Sequence, residues 1–338
     1  MKRLLAILLV FFLLCLCGCN SSAQDSATVT TLPIIREGKT VGISLPEDSW
    51  LSTASALTTR LENAGYQTIL EYAQGDPKTQ ADQITAMADK GVACIIVTPV
   101  DAITLAEAID YAASKGVKLV AYDRLPTDTK GISYYVAPDY RAMGAAVAEE
   151  VTATLQADKA YTFELFMGNP TDPNARLYWE GVVSVLRPYM DKGMLQNRSA
   201  RLEFEDVCIT DGSAEMAEKL CAARLNTYYA DAPLDICIAG TDTIAGGIIA
   251  ALENAGYTEE NWPAVTGSGC YDAPVAQSKL FLSAYTAIDK LCEACVAMVD
   301  AALSGNAPAV GKSLTGITNN AASVPTYLCD FTVITVTE

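Results

Sequence analysis

Histidine is absent from all 338 residues, which excludes histidine-ligated metals and every catalytic triad that uses imidazole as its base. Positive charge is scarce. Lys and Arg number 23 against 40 Asp and Glu, for a formal net charge of -17. So acidic a surface repels nucleic acid and anionic lipid, so neither is an expected partner, and it favours solubility. No G-x-S-x-G elbow occurs, and Gly267-Ser268-Gly269 lacks the wider context of a dinucleotide loop. The paired C-x-x-C pattern of a zinc site is missing too. No metal and no cofactor is expected.

Long apolar runs are also lacking. The longest, Leu4 to Leu16, falls short of the roughly 20 residues that cross a bilayer. It follows the basic pair Lys2-Arg3 and has the length of a signal-peptide core. It ends in Leu16-Cys17-Gly18-Cys19, which resembles a bacterial lipobox and makes Cys19 the candidate for lipidation. Residues 1–18 are then a signal peptide. Residues 19–37, rich in Ser, Thr, Ala and Asp, form a lipidated flexible tether. This places the protein outside the cytoplasm, anchored to the cell membrane by lipid alone.

Cysteine is the exception to these shortages, with eleven residues. In an exported protein that number suggests disulfides, but the placement argues otherwise. Cys15 and Cys17 leave with the signal, Cys94 and Cys237 lie inside apolar runs, and Cys292 and Cys295 share a helical pattern. If a disulfide forms, Cys208 with Cys221 is the pair that placement favours.

From about Lys39 onward, short apolar runs alternate with amphipathic stretches over about 300 residues, enough for two domains. The Thr104–Lys115 stretch carries Leu105, Ala108, Ile109 and Ala112 on one helical face, and Gly116 ends it. Val92 to Val97 is apolar without alternation, as a strand covered on both faces would be. The rhythm predicts an α/β fold with parallel sheets. Helices are expected over Trp50–Ala64, Pro77–Lys90, Tyr140–Ala157, Asn174–Met190, Ser213–Tyr229, Thr243–Ala255 and Asp289–Leu303.

In such sheets ligands bind beyond the carboxyl ends of the strands. Trp50 follows the first strand, Asp101 the strand ending at Val97, and Asp123 and Arg124 the strand ending at Tyr122. Asn174 follows Met167, and Asp242 follows Ala239. Carboxylates accept from vicinal hydroxyls, a guanidinium donates a rigid fork, an amide does both, and an indole covers the C–H face of a pyranose. That set suits a neutral polyol. Taken singly, Asp101 and Asp242 also suit helix caps, Asp123-Arg124 a surface ion pair, and Trp50 a core position.

The segment Ala121-Tyr122-Asp123-Arg124-Leu125 resembles the type I periplasmic sugar-binding proteins, in their xylose- and glucose/galactose-binding branch. So do Lys90-Gly91-Val92, Asp101 with Thr104-Leu105, Ser133-Tyr134-Tyr135 with Asp139, and Glu164-Leu165-Phe166-Met167-Gly168-Asn169-Pro170 with Asp172 and Asn174. Gly181, Val185-Leu186-Arg187-Pro188-Tyr189, Asp242 before Gly246-Gly247-Ile248, and Val324-Pro325-Thr326-Tyr327-Leu328 continue the series in family order. The resemblance implies two Rossmann-like lobes joined by a three-crossing hinge. On that basis 38–136 plus 269–305 form the first lobe, and 137–268 plus 306–338 the second. It also implies a monomer that is not an enzyme, capturing a monosaccharide such as xylose, glucose or galactose and delivering it to the permease of an ABC transporter. The implied contacts are Trp50, Asp101, Asp123, Arg124, Asn174 and Asp242.

The chain departs from the family at Gly267-Ser268-Gly269-Cys270-Tyr271-Asp272, where a Gly-Gln-Asp-like segment is usual, so Asp272 is a candidate replacement carboxylate. The Lys that the family often places near Thr286 is lacking, and Ser49 stands where the family has a basic residue before the aromatic. Two rivals stand beside this: a sensor that keeps the binding fold but presents its sugar to a membrane receptor, and, from a different class, an exported carbohydrate-active enzyme built on paired carboxylates.

Overall fold

A computed structural model describes residues 38–269 and 279–335. Cys19 and Asp272, with the expected signal and tether, lie outside the described residues. The described residues form two sheets with flanking helices.

The first sheet begins with β1 (Thr40–Leu45), β2 (Gln67–Tyr72), β3 (Cys94–Val97), β4 (Lys118–Tyr122) and β5 (Ile132–Pro138). Between them run α1 (Leu51–Asn63), α2 (Pro77–Asp89) and α3 (Ala106–Ser114). Asp76 caps α2 through the backbone N–H groups of Lys78 and Thr79, with Pro77 at the first helical position. All four residues of β3 are buried, as the unbroken apolar run requires when helices cover both faces.

The second lobe starts with α4 (Tyr140–Ala153), followed by β6 (Tyr161–Phe166), α5 (Pro173–Asp191), β7 (Leu195–Gln196) and α6 (Phe204–Val207). Next come α7 (Ala214–Tyr228), β8 (Ile236–Ala239), α8 (Asp242–Asn254), β9 (Ala264–Gly269) and β10 (Leu282–Tyr285). The helix α9 (Ile288–Ser304) returns to the first lobe, where Leu291, Cys292, Cys295 and Met298 join the core that contains Val41, Ile43 and Val120. The chain ends in β11 (Thr315–Thr318), β12 (Ser323–Cys329) and β13 (Thr332–Thr335).

The strand orders are β11-β12-β5-β4-β3-β1-β2 and β13-β10-β9-β8-β6-β7. Apart from the antiparallel edge strands β11 and β13, the pairings are parallel. The chain passes between the sheets after Pro138, after Tyr285 and after Cys329.

These passages correct the expected lobe limits. The segment 306–329 belongs to the first lobe, because β12 pairs in parallel with β5 from Thr326↔Tyr135 to Cys329↔Pro138. Residues 282–285 belong to the second, because β10 pairs in parallel with β9. Cys208 and Cys221 are both free, so the favoured disulfide is absent. The Cys208 Sγ donates to the Phe204 carbonyl at 2.9 Å, and Cys221 packs into the second-lobe core beside Ala217 and Ile248.

A buried ion pair lies inside the second lobe. Glu164 on β6 accepts from Arg224 Nη1 at 2.9 Å, Ser199 Oγ at 2.8 Å and Tyr229 OH at 2.7 Å. Arg224 also donates to the Leu165 carbonyl at 2.7 Å and lies over the Phe166 ring at 4.4 Å.

Candidate functional site

A cavity of about 510 Å³ lies at the carboxyl ends of both sheets. Glu47, Trp50, Asp123 and Arg124 line it from the first lobe, and Tyr140, Asp172, Asn174, Asp211 and Asp242 from the second. Except for Asp211, each follows a strand or lies at the start of a helix, where the backbone turns away from the sheet.

Asp123 sits at the centre. Its φ of +65° is a left-handed conformation that costs a non-glycine residue about 1–3 kcal/mol, and that Asp tolerates better than most. Surrounding bonds hold it there. Its N–H donates to the Val136 carbonyl at 2.8 Å, and its own carbonyl accepts from Tyr135 OH at 2.7 Å and Asn174 Nδ2 at 2.9 Å. Tyr140 OH donates to Oδ1 at 2.7 Å. Burial raises the Asp123 pKa, and the Asp172 charge adds to this, against the opposing effects of Arg124 and the Tyr140 hydrogen bond.

Arg124 Nε lies 3.9 Å from Asp123 Oδ2 and 3.8 Å from Asp172 Oδ2, too far for hydrogen bonds. Among the described residues this buried Nε has no hydrogen-bond partner. Burial opposes the charge on Arg124, but Asp172, Asp123, Tyr140 and Glu47 outweigh it and raise the pKa. The guanidinium stands 5.9 Å above the Trp50 ring, which meets Tyr122 edge-on at 6.5 Å. Trp50 therefore lines the cavity and packs on the first-lobe core at once.

Asp242 opens α8, whose cap is Thr241 rather than Asp242. Its Oδ1 accepts from Ser283 Oγ at 2.7 Å. Burial raises its pKa, and the Ser283 bond partly offsets the rise.

The structure thus brings Trp50, Asp123, Arg124, Asn174 and Asp242 to one cavity. Asp101 does not line it. Its Oδ1 accepts from the backbone N–H groups of Ile103 at 2.9 Å and Thr104 at 3.0 Å, so this carboxylate shapes the turn ahead of α3. Tyr140 and Asp211 are additions. Tyr140 follows the first passage between lobes, and its only sequence signal is its place at a helix start. Asp211 lies in a loop between α6 and α7 that carries no periodic pattern.

A cleft between two parallel sheets, lined from both and crossed by three passages of chain, defines a two-lobed solute-binding protein. The model of the periplasmic binding protein domain matches residues 41–307, and the chain belongs to that family. It is 30% identical over 301 residues to the multiple sugar-binding periplasmic receptor ChvE of Rhizobium radiobacter, covering 86% of this chain and 84% of that protein. The multiple sugar-binding periplasmic protein SbpA of Azospirillum brasilense is also 30% identical, over 316 residues, covering 89% and 87%. The crystal structure of an ABC transporter solute-binding protein from Clostridium phytofermentans with bound β-D-glucose superposes with a TM-score of 0.80. It shares 32% identity, covering 88% of this chain and 94% of that one.

Proposed function

We propose that this protein captures a neutral monosaccharide of the xylose, glucose or galactose type between its lobes and delivers it to the permease of an ABC transporter. One observation carries the reading. A buried guanidinium nitrogen without a hydrogen-bond partner, on Arg124, faces the same cavity as carboxylates from the opposite lobe. Donor and acceptors on separate lobes suit a hydroxylated ligand that stabilises the closed form by touching both at once. Trp50, Asp123, Arg124, Asn174 and Asp242 make the contacts, and Asp272 is a further candidate from outside the described residues. The protein acts as a monomer and catalyses nothing, which incubation with aryl glycosides checks. The glucose-bound transporter relative supports delivery to a permease. A sensory output is the second reading, since the Rhizobium radiobacter relative is a receptor by name.

A thermal-shift panel of pentoses, hexoses and nucleosides tests the ligand class. A sugar at 100 times its dissociation constant adds about 2.7 kcal/mol, so the binders should stand out. A panel in which only nucleosides shift the midpoint, or nothing does, refutes the sugar reading.

We also propose that Cys19 carries the lipid anchor outside the cytoplasm. Cys19→Ser should be secreted or left uncleaved, and lost from the lipidated membrane fraction. A cleaved variant still retained at the membrane refutes the anchor.

A further inference from the structure

The geometry points to Ser283 and Gly267 as positioning residues that lock the Asp242 carboxylate into one orientation as a hydrogen-bond acceptor in the cleft. The inference rests on the sugar-binding reading above.

Ser283 on β10 and Gly267 on β9 are register partners across a parallel pair, so they stand side by side below the start of α8. Ser283 is 3% exposed, and its Oγ donates to Asp242 Oδ1 at 2.7 Å. Gly267 supplies the room. A Cβ built there would stand 2.1 Å from that same Oδ1. The φ of Gly267 is not in the left-handed region, so space, not backbone freedom, is what glycine provides here. The carboxylate is therefore folded back over the sheet and held by one hydroxyl. Among the described residues, no donor reaches the second oxygen, Oδ2, and no cation pairs with Asp242. A half-buried acceptor on the cavity wall, held this way and with its second oxygen unpaired, takes a further donor from the ligand.

The neighbourhood is simple enough for a clean test. Besides Ser283, the titratable group that senses the Asp242 charge is Tyr178 on α5, whose own pKa is pushed up by burial and then by Asp242. Removing the Ser283 donor leaves burial unopposed, so the Asp242 pKa rises further. Protonation then destroys the acceptor at a higher pH.

The experiment uses D-glucose and D-xylose as probes, with calorimetry between pH 5 and pH 8. Ser283→Ala should weaken binding about tenfold at neutral pH, with the acid-side loss of affinity beginning at higher pH than in the wild type. Gly267→Ala should weaken binding at least as much, and the double variant no more than the worse single change, because both act on one carboxylate. A ligand-free readout separates this inference from the sugar reading. In protein carrying 13C-labelled aspartate, the carboxyl titration midpoint of Asp242 should move up in Ser283→Ala. An unmoved midpoint, or a wild-type affinity and pH profile in Ser283→Ala, overturns the positioning role. Wild-type protein that binds no sugar overturns the functional reading, while the titration still decides the positioning.

Discussion

Arg124→Met should weaken sugar binding by roughly tenfold to more than a hundredfold, the equivalent of about 1–3 kcal/mol or more. Two losses combine. The partnerless Nε disappears as a donor, and the buried carboxylate of Asp123 keeps its desolvation without the adjacent cation. Arg124→Lys should fall between the variant and the wild type, because an ammonium retains the charge but not the planar fork. Calorimetric titration with whichever sugar leads the thermal panel measures both. An unchanged dissociation constant in Arg124→Met would remove this residue from the site and leave the conjunction at Asp123 a structural one.

The second large effect is on stability. Arg224→Met should destabilise the fold by about 3–5 kcal/mol, because it leaves the Glu164 carboxylate buried without its cation. In melting temperature that is a fall on the order of 10 °C. Desolvation already lowers the Arg224 pKa, with Glu164 acting in the opposite sense, so this charge is held by its partner and not by solvent. Pairing Arg224→Met with Glu164→Leu should recover most of the loss, since removing both charges abolishes the desolvation they share. Circular-dichroism melts of the three variants check this. A double variant as unstable as the single one would show that the side chains matter for their packing on Phe166 and Ser199 rather than for their charges.

Much of the cleft was legible because strand-end chemistry is local. Asp123, Arg124, Asn174 and Asp242 stand one to eight residues past apolar runs that period alone marks as strands. The same rule misplaced Asp101, since a carboxylate after a strand serves a turn as readily as a ligand, and only the direction of its oxygen distinguishes the two. Ser283 was invisible for a different reason. Its role depends on Gly267 and Asp242, which stand far from it in sequence, and its strand, Leu-Ser-Ala-Tyr, is too short and mixed to show a period. The lobe limits failed at β12. Pro325 reads against a strand, yet Ser323–Cys329 pairs on both sides, with β11 and with β5.

That strand also sets an order in time. The first lobe supplies the first five strands of the chain, but its sheet stays open along β5 until residues 323–329 are available, and α9 must arrive before its core closes. The second sheet needs only its edge strand β13 after residue 285. The lobe begun first is thus completed late, and through most of synthesis and export it presents an unpaired strand edge of the kind that invites association with other chains. A chain truncated before residue 323 would carry that open β5 edge permanently.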